Sequence, residues 1–384
     1  MASNPLTKTD AIVCYPPSAG KRTWVLGEIH LMPPLENEVL VELVASGVCH
    51  TDLGCGTSLD GTPGFPVPPY PRVLGHEGAG YVRSIGAKVT KVKPGDAVLL
   101  SFAFCTACWN CRFGAPGYCE RFSQLNFTGL REAFVSGHGD SIGGSFFGQS
   151  SFARVSRVQE TSVVNVSGLV KDTKELRLFA PLGCGFQTGA GTITELAKVS
   201  PDDRIAILGL GGVGLSAIMA AKLKGCKTII GIDRVPARLE LATSLGAMHV
   251  INTSLISGTL AEEVRRVTGG RGVTVAVEAT GSSPLVKDAV AMTANQGKII
   301  LVGVAPMDAR FDVGLVEFMV SGKQLLGSME GGVYPEKYIP QLIEWYRSGQ
   351  FPVEKLIKFY QATDFQQAIE DMESGATVKP VLIW

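Results

Sequence analysis

The fold of this chain is decided by the stretch Arg204-Ile205-Ala206-Ile207-Leu208-Gly209-Leu210-Gly211-Gly212-Val213-Gly214. Its apolar first half predicts a buried strand, and the apolar residues 215–224 predict a helix. A Gly-x-Gly-x-x-Gly pattern between strand and helix is typical of dinucleotide binding. The glycines allow a tight turn, close approach of backbone to a pyrophosphate, and close helix packing. The helix N-terminus favours that anion. The candidate contacts are Gly209, Gly211, Gly212, Val213 and Gly214.

The next predicted strand, residues 228–232, ends in Asp233, which follows Gly209 by 24 residues. A carboxylate at this place accepts hydrogen bonds from ribose hydroxyls and repels a 2′-phosphate. The sequence therefore favours NAD as the cofactor. Arg234 keeps NADP open, because an arginine nearby can hold a 2′-phosphate.

Strand-like and helix-like segments alternate from residue 204 to residue 302, which predicts a doubly wound parallel sheet. The first part of the chain instead carries short strands without helical period, which predicts a mostly antiparallel barrel or sandwich. Residues 172–190 are predicted to be helical. We therefore expect an α/β protein of two domains, with boundaries near residues 186 and 329.

The composition indicates an enzyme-like protein of the cytosol. Hydrophobic residues make up 45%, and 35 basic residues balance 35 acidic ones. This balance offers no bulk attraction to nucleic acid or anionic membranes. The first residues lack the apolar core of a signal peptide, and no apolar run approaches the roughly 20 residues of a membrane-spanning helix. In a cytosolic chain, nine cysteines suggest metal ligands before disulfides.

Four cysteines fall within fifteen residues, with the spacing Cys-x2-Cys-x2-Cys-x7-Cys. Four thiolates close a tetrahedral zinc site that has no open position, so such a site is structural. An iron–sulfur cluster is the competing interpretation. The ligands would be Cys105, Cys108, Cys111 and Cys119.

A catalytic metal site needs three protein ligands and an open position. The remaining candidates are Cys49, His76 and Cys184, each at a strand end or turn among small residues. The alternative is that the two cysteines are small buried hydrophobes, as we expect for Cys14, Cys55 and Cys226. Asp52 is predicted to cap a short helix whose entrance carries Cys49 and Thr51.

At these residues the chain resembles the zinc-containing alcohol dehydrogenases of the medium-chain dehydrogenase/reductase superfamily. The resemblance covers nearly the whole length. It implies a GroES-like catalytic domain built from both chain ends, residues 1–186 and 330–384, with a Rossmann domain of residues 187–329 between them. It also implies that Cys49, His76 and Cys184 bind a catalytic zinc and that the four clustered cysteines bind a structural zinc. The motifs that carry it are Gly47–Asp52, Gly75–Gly78, the four-cysteine segment, Gly183–Gly189 and Gly209–Gly214.

The resemblance also assigns roles to single residues. It implies that the Thr51 hydroxyl bonds the substrate alcohol, that His50 faces the cofactor pyrophosphate, and that Glu77 tunes the metal. It makes Thr188, Asp233, Arg238, Val302 and Lys379 cofactor contacts and places Phe102 and Met329 in the substrate pocket.

The implied chemistry is hydride transfer between NAD and an alcohol that zinc acidifies as a Lewis acid. Many relatives place a relay histidine three residues after the threonine, where this chain has Gly54. We therefore expect a strong dependence of the rate on pH or buffer.

Residues 146–153, together with Gly54, look most like aryl-alcohol (benzyl-alcohol) and allylic-terpenol dehydrogenases. We expect a primary aromatic or allylic alcohol and its aldehyde as substrates. Short ethanol-type alcohols, a glutathione adduct, conjugate C=C reduction and a non-catalytic role are the alternatives. The family further suggests a homodimer, or a homotetramer of such dimers.

Overall fold

The computed structural model describes residues 6–19, 21–57 and 67–384. Its strands are β1 Thr7–Ser18, β2 Lys21–Leu31, β3 Glu38–Gly47, β4 Arg72–Val73, β5 Glu77–Ile85, β6 Ala97–Leu100, β7 Leu130–Val135, β8 Ser141–Gly144, β9 Val155–Gln159, β10 Val163–Asn165, β11 Arg204–Leu208, β12 Thr228–Asp233, β13 His249–Asn252, β14 Val273–Glu278, β15 Thr293–Leu301, β16 Gln324–Gly327, β17 Ile357–Gln361 and β18 Lys379–Ile383.

Its α-helices are α1 His50–Thr57, α2 Trp109–Arg112, α3 Thr173–Phe179, α4 Gly185–Gly191, α5 Gly212–Leu223, α6 Pro236–Leu245, α7 Leu260–Val267, α8 Ser283–Met292, α9 Leu315–Ser321, α10 Pro335–Arg347 and α11 Phe365–Ser374. Within the described residues, none of these helices has the length and apolar character needed to cross a membrane.

The chain divides into two compact units. Unit 1 contains Met1–Cys184, Tyr334–Glu344 and Val353–Trp384, and unit 2 contains Gly185–Val333 and Trp345–Pro352. The predicted domain boundaries, after residues 186 and 329, stay a prediction, because compactness does not show which segments fold together.

Unit 1 holds a closed barrel, in the order β1-β2-β7-β8-β4, and a seven-stranded sheet, in the order β10-β6-β5-β3-β18-β17 with β9 also paired to β3. Most of these pairs are antiparallel. The centre of the sheet is β3, which explains why most of its residues are buried. The last strand of the chain, β18, pairs with β3, so both chain ends contribute to unit 1.

Unit 2 is built on a parallel six-stranded sheet, in the order β13-β12-β11-β14-β15-β16. Helices connect its strands, because parallel neighbours need crossover connections. The predicted α/β class, with one mostly antiparallel part and one doubly wound parallel sheet, is confirmed.

One predicted helix differs from the structure. Residues 172–190 form α3 and α4 with an irregular turn between them, and Cys184 lies in that turn with φ −142° and ψ −88°. Pro181 has no N–H to donate, so the helix cannot run through this segment unbroken. The break leaves the Cys184 side chain at a turn instead of on a helix face.

Candidate active site

Three separate segments of unit 1 bring the candidate catalytic ligands together. Cys49 follows β3, and His76 and Glu77 stand at the start of β5. Antiparallel pairing of β3 with β5 places Gly47 opposite Glu77, which brings these strand ends side by side. One ligand atom from each of Cys49, His76, Glu77 and Cys184 lies within 4.8 Å of all the others.

Close backbone contact holds the Cys184 turn against β6. Ser101 Oγ donates a 2.7 Å hydrogen bond to the carbonyl oxygen of Gly183. A Cβ atom on Gly183 would lie 1.9 Å from the carbonyl oxygen of Leu100. Only glycine therefore fits beside Cys184 at this distance.

Asp52 orients the imidazole of His76. His76 Nδ1 lies 3.0 Å from Asp52 Oδ1, and both side chains are fully buried. The Asp52 carboxylate also accepts the backbone N–H groups of Cys49 and Gly75, each at 3.0 Å. The bond to the N–H of Cys49, the residue before α1, satisfies one donor at the helix start, as a cap does, although Asp52 is not itself the residue that precedes the helix. The helix α1 already begins at His50, which places Asp52 inside its first turn.

The chemistry of this cluster fits a metal ion. His76 Nε2 is buried and has no hydrogen-bond partner among the described residues. A buried, unsatisfied nitrogen is costly, whereas a metal bond satisfies it. A hydrogen bond with Cys184 holds the pKa of the Cys49 thiol well below its usual range, against the effect of burial. A thiol that ionises readily is suited to metal binding.

Glu77 and Lys379 form a buried ion pair beside these ligands. Lys379 Nζ donates to Glu77 Oε1 at 2.8 Å and to the carbonyl oxygen of Val48 at 3.1 Å. Burial raises the pKa of the Glu77 carboxyl to about 7, although the ammonium of Lys379 acts to lower it. The ammonium of Lys379 thus points into unit 1, and its predicted contact with the cofactor stays a prediction.

The other predicted residues of unit 1 lie around this cluster. The Thr51 hydroxyl is 3.7 Å from the sulfur of Cys49, and His50 is exposed at the start of α1. Phe102 is fully buried, with its ring 6.1 Å from that of Phe104 and 5.7 Å from that of Phe122. Its place in a substrate pocket stays a prediction.

The four clustered cysteines form a second group, whose ligand atoms also lie within 4.8 Å of one another. In the part of the chain that the structure describes, all nine cysteines are free thiols. Backbone N–H groups point at the sulfur atoms, as from Cys108 to Cys105 at 3.3 Å and from Arg121 to Cys119 at 3.4 Å. Such hydrogen bonds favour the thiolate form. The backbone N–H of Cys111 makes the largest contribution to lowering the pKa of the Cys108 thiol to about 6. The arrangement fits a metal held entirely by protein.

The glycine loop of unit 2 has the geometry of a site for an anion. Gly209 adopts φ +90°, and a Cβ on Gly214 would lie 1.9 Å from the Gly209 carbonyl oxygen. A Cβ on Gly211 would meet no described atom within 4 Å, so space is open in front of the loop. Gly212 and Val213 begin α5, whose first turn has no side-chain cap. Its N–H groups are available to a ligand.

Asp233 ties this loop to the next strand. Asp233 Oδ2 accepts the backbone N–H of Leu210 at 2.7 Å, and Oδ1 accepts those of Arg234 and Val235. Arg238 Nη1 lies 3.9 Å from Asp233 Oδ2. Both predicted cofactor contacts, Asp233 and Arg238, therefore stand at the same end of the sheet as the loop.

Of the remaining predicted residues of unit 2, Thr188 and Met329 lie beside the carboxylate of Glu330, which the sequence did not single out. Thr188 is buried on α4, and its hydroxyl is 3.4 Å from Glu330 Oε2. Val302 directly follows β15, and Met329 precedes Glu330 and is partly exposed. Glu330 is buried with φ +51°, which no local pattern in the sequence predicts.

Comparison with known proteins gives matches along the whole chain. Residues 35–168 match the model of the alcohol dehydrogenase GroES-like domain, and residues 212–348 match that of the zinc-binding dehydrogenases. A geraniol dehydrogenase of Castellaniella defragrans is 37% identical over 360 residues, which cover 93% of each chain.

Two solved structures share the fold along almost their full length. An alcohol dehydrogenase zinc-binding domain protein from Burkholderia ambifaria is 35% identical, with a TM-score of 0.91 over 99% of each chain. A benzyl alcohol dehydrogenase from Acinetobacter calcoaceticus is 38% identical, with a TM-score of 0.87 over 98% of this chain and 99% of that one.

Proposed function

Because the chain belongs to the zinc-containing alcohol dehydrogenases of the medium-chain dehydrogenase/reductase superfamily, we propose that it oxidises primary aromatic or allylic alcohols to aldehydes, and performs the reverse reaction. Members of this family are oxidoreductases that use zinc and NAD. The observation that carries the proposal is the meeting of Cys49, His76 and Cys184 around a buried, unsatisfied histidine nitrogen, with the Thr51 hydroxyl beside them.

In this proposal Cys49, His76 and Cys184 hold the catalytic zinc, which supplies Lewis acidity toward the alcohol oxygen. The Thr51 hydroxyl accepts the hydrogen bond of the substrate alcohol and passes its proton onward. Glu77, charge-balanced by Lys379, adjusts the electrostatic field and does not act as the general base. Two zinc ions are bound per chain, and the second is structural, held by Cys105, Cys108, Cys111 and Cys119.

The cofactor proposal rests on unit 2. The glycine loop holds the pyrophosphate of NAD, and the Asp233 carboxylate accepts hydrogen bonds from the ribose hydroxyls. Thr188, Arg238 and Val302 of the same unit are further proposed contacts. Arg238 lies beside Asp233 and could bind the 2′-phosphate of NADP. The preference for NAD therefore depends on the Asp233 carboxylate, which repels that phosphate.

The proposed substrates are alcohols that carry an aromatic ring or an allylic double bond. The names of the relatives from Castellaniella and Acinetobacter, geraniol dehydrogenase and benzyl alcohol dehydrogenase, point to the same class of alcohol.

The test is a kinetic screen of benzyl, cinnamyl, terpenoid and short aliphatic alcohols with NAD and with NADP. We expect the highest kcat/KM for an aromatic or allylic alcohol with NAD. A clear preference for ethanol would contradict the substrate class. Mass analysis of the products distinguishes oxidation of the alcohol from reduction of a C=C bond. Adding glutathione with formaldehyde tests the glutathione-adduct alternative.

Metal analysis of the purified protein tests the two sites directly. We expect about two zinc ions per chain, in line with one catalytic and one structural site. A reproducible value near one zinc ion per chain would show that one of the two proposed sites does not bind zinc. Iron together with acid-labile sulfide would show that the four cysteines bind an iron–sulfur cluster instead of zinc.

We further propose that the protein is a cytoplasmic homodimer whose unit 2 sheets join through β16. This strand ends the six-stranded sheet, so one of its edges is unpaired within the described chain. Every residue of α9 is at least partly exposed, and four of its apolar side chains are mostly exposed. An exposed apolar patch beside a sheet edge is suited to a second copy of the chain. The four are Leu315, Val316, Met319 and Val320.

A further inference from the structure

Two aromatic side chains enclose the imidazole of His76 in unit 1. The Phe147 ring stacks on it with centroids 4.5 Å apart and planes 25° from parallel. The Phe146 ring is nearly perpendicular to it, with centroids 5.5 Å apart and planes at 84°. The imidazole is thereby packed against two rings, in addition to its contact with Asp52.

The backbone that carries Phe147 adopts an unusual conformation. Phe147 has φ +52° and ψ 32°, and Ser145, Gly148 and Ser150 also have positive φ. A bulky residue occupies this region only where its surroundings enforce it. The Phe147 ring has such surroundings, because the rings of Phe127 and Phe122 pack against it at 5.2 and 6.2 Å.

The same segment is fastened to the backbone on both sides of His76. Gln149 Nε2 donates to the carbonyl oxygens of His76 at 2.9 Å and Ser101 at 2.8 Å, while its Oε1 accepts the N–H of Gly78 at 3.2 Å. Ser150 Oγ donates to the carbonyl oxygen of Val73 at 2.7 Å. The position of the Phe147 ring is therefore fixed relative to the backbone of His76.

We propose that Phe147 is a positioning residue that fixes the rotation of the His76 ring, so that Nε2 is presented to the catalytic metal. The bond to Asp52 restrains one nitrogen of the ring and leaves the plane of the ring able to tilt about that contact. Stacking restrains the plane itself. This inference rests on the proposed metal site at Cys49, His76 and Cys184 and adds a residue that holds the ligand without touching the metal.

The experiment compares Phe147→Leu and Phe147→Gly with the parent in the full-length, zinc-loaded protein. The rate of zinc loss to a chelator is measured, together with the visible absorption of the protein after exchange with Co²⁺. Loss of a contact that orients a metal ligand typically costs 10–100-fold in metal affinity. We expect zinc loss from the catalytic site to become at least about tenfold faster and the Co²⁺ bands to shift. Zinc at the four-cysteine site, an internal reference, should stay bound.

Phe134→Leu is the matched control, because Phe134 is equally buried in the same hydrophobic cluster and no described aromatic ring contacts it. It should lower the melting temperature without changing zinc loss or the Co²⁺ spectrum. Phe147→Gly removes the whole ring and relieves the positive φ, which offsets part of the stability lost to the cavity. Phe147→Met, which keeps a flexible apolar side chain of similar volume, keeps the test available if the leucine variant does not fold.

Unchanged zinc loss and an unchanged spectrum in the Phe147 variants would overturn the inference while leaving the proposed function intact. Equal effects of Phe134→Leu would overturn it as well, by making the change a general loss of stability. A parent protein that binds no metal outside the four-cysteine site would refute the inference and the proposed function together.

Discussion

At the scale of single residues, Gly54 is where the proton path departs from that of relatives with a relay histidine. A Cβ added at Gly54 would meet no described atom within 4 Å, and the residue is exposed on α1. We expect Gly54→His to raise the rate severalfold near pH 6 and to remove its dependence on added buffer base, because imidazole then carries the proton. Turnover is measured against imidazole-type buffer concentration at fixed pH and ionic strength.

Gly54→Ala is the control for this change. Replacing glycine within a helix stabilises it by roughly 0.5–1 kcal/mol whatever the new side chain does chemically. The alanine variant should therefore keep the buffer dependence of the parent. A parent enzyme that is insensitive to buffer base at low pH would contradict the expectation, since another group would then already relay the proton.

At the scale of elements, the loop between β11 and α5 contains one glycine expected to matter for NAD binding and another expected to matter for stability. Gly211 has open space at its Cβ position, whereas a Cβ on Gly214 would lie 1.9 Å from a backbone oxygen. We expect Gly211→Ala to weaken NAD binding by roughly tenfold or more with an unchanged melting temperature, because only the pyrophosphate meets the new methyl group. Calorimetric titration with NAD and thermal melts measure the two effects.

Gly214→Ala is the comparison within the same loop. Its methyl group forces α5 away from β11, and overpacking of this kind costs about 1–3 kcal/mol of stability or more. Equal NAD affinity of Gly211→Ala and the parent would show that the pyrophosphate does not approach this loop.

A second element-scale prediction concerns the carboxylate that ties α11 to β17. Asp371 accepts hydrogen bonds from Lys358 at 2.7 Å, Tyr360 at 2.5 Å and Gln367 at 2.7 Å. These contacts, that of Lys358 first, lower the pKa of Asp371 to about 2. Because the folded-state pKa is depressed, the stabilisation is complete above about pH 4 and disappears as the pH falls through about 2. Asp371→Asn should therefore melt below the parent at pH 7, and the gap should close between these values.

Glu370→Gln is the control for Asp371→Asn. Glu370 is an exposed carboxylate on the same helix, and no described side chain bonds to it. This variant should melt like the parent at every pH. A constant difference between Asp371→Asn and the parent down to pH 2 would show that the ionised carboxylate is not the source of the stability.

At the scale of the whole molecule, the patch on α9 predicts the state of assembly. We expect the parent to have twice the chain mass of 40.6 kDa, and Val316→Lys with Val320→Lys to return it to the monomer. Unpaired charges buried in the proposed interface would cost several kcal/mol each. Light scattering coupled to size-exclusion chromatography measures the mass.

Leu255→Lys, at another exposed apolar position of unit 2, should leave the mass unchanged. A monomeric parent would contradict the proposed dimer. A parent of four chains that falls to fewer in the double variant would support the tetramer of such dimers.

The sequence by itself determined the parts whose geometry is local. The loop from Gly209 to Gly214 needs only its own glycines and the adjoining strand and helix to form. The four clustered cysteines lie close enough along the chain to reach one metal. The candidate zinc ligands could also be selected by residue type, because zinc prefers thiolate and imidazole ligands.

Only the tertiary structure decided what surrounds the catalytic ligands. The register of β3 and β5 brings Cys49 beside His76, and register depends on long-range pairing that no short stretch encodes. Asp52 was predicted to cap α1, and its carboxylate does accept the N–H of Cys49 at the helix start. Its second contact, with the imidazole of His76, depends on the tertiary fold. Residues 146–153 indicated a class of substrate, but nothing in them predicted that Phe147 contacts His76. Its contact with His76 arises from a loop that is distant in sequence and is folded back by packing and hydrogen bonds.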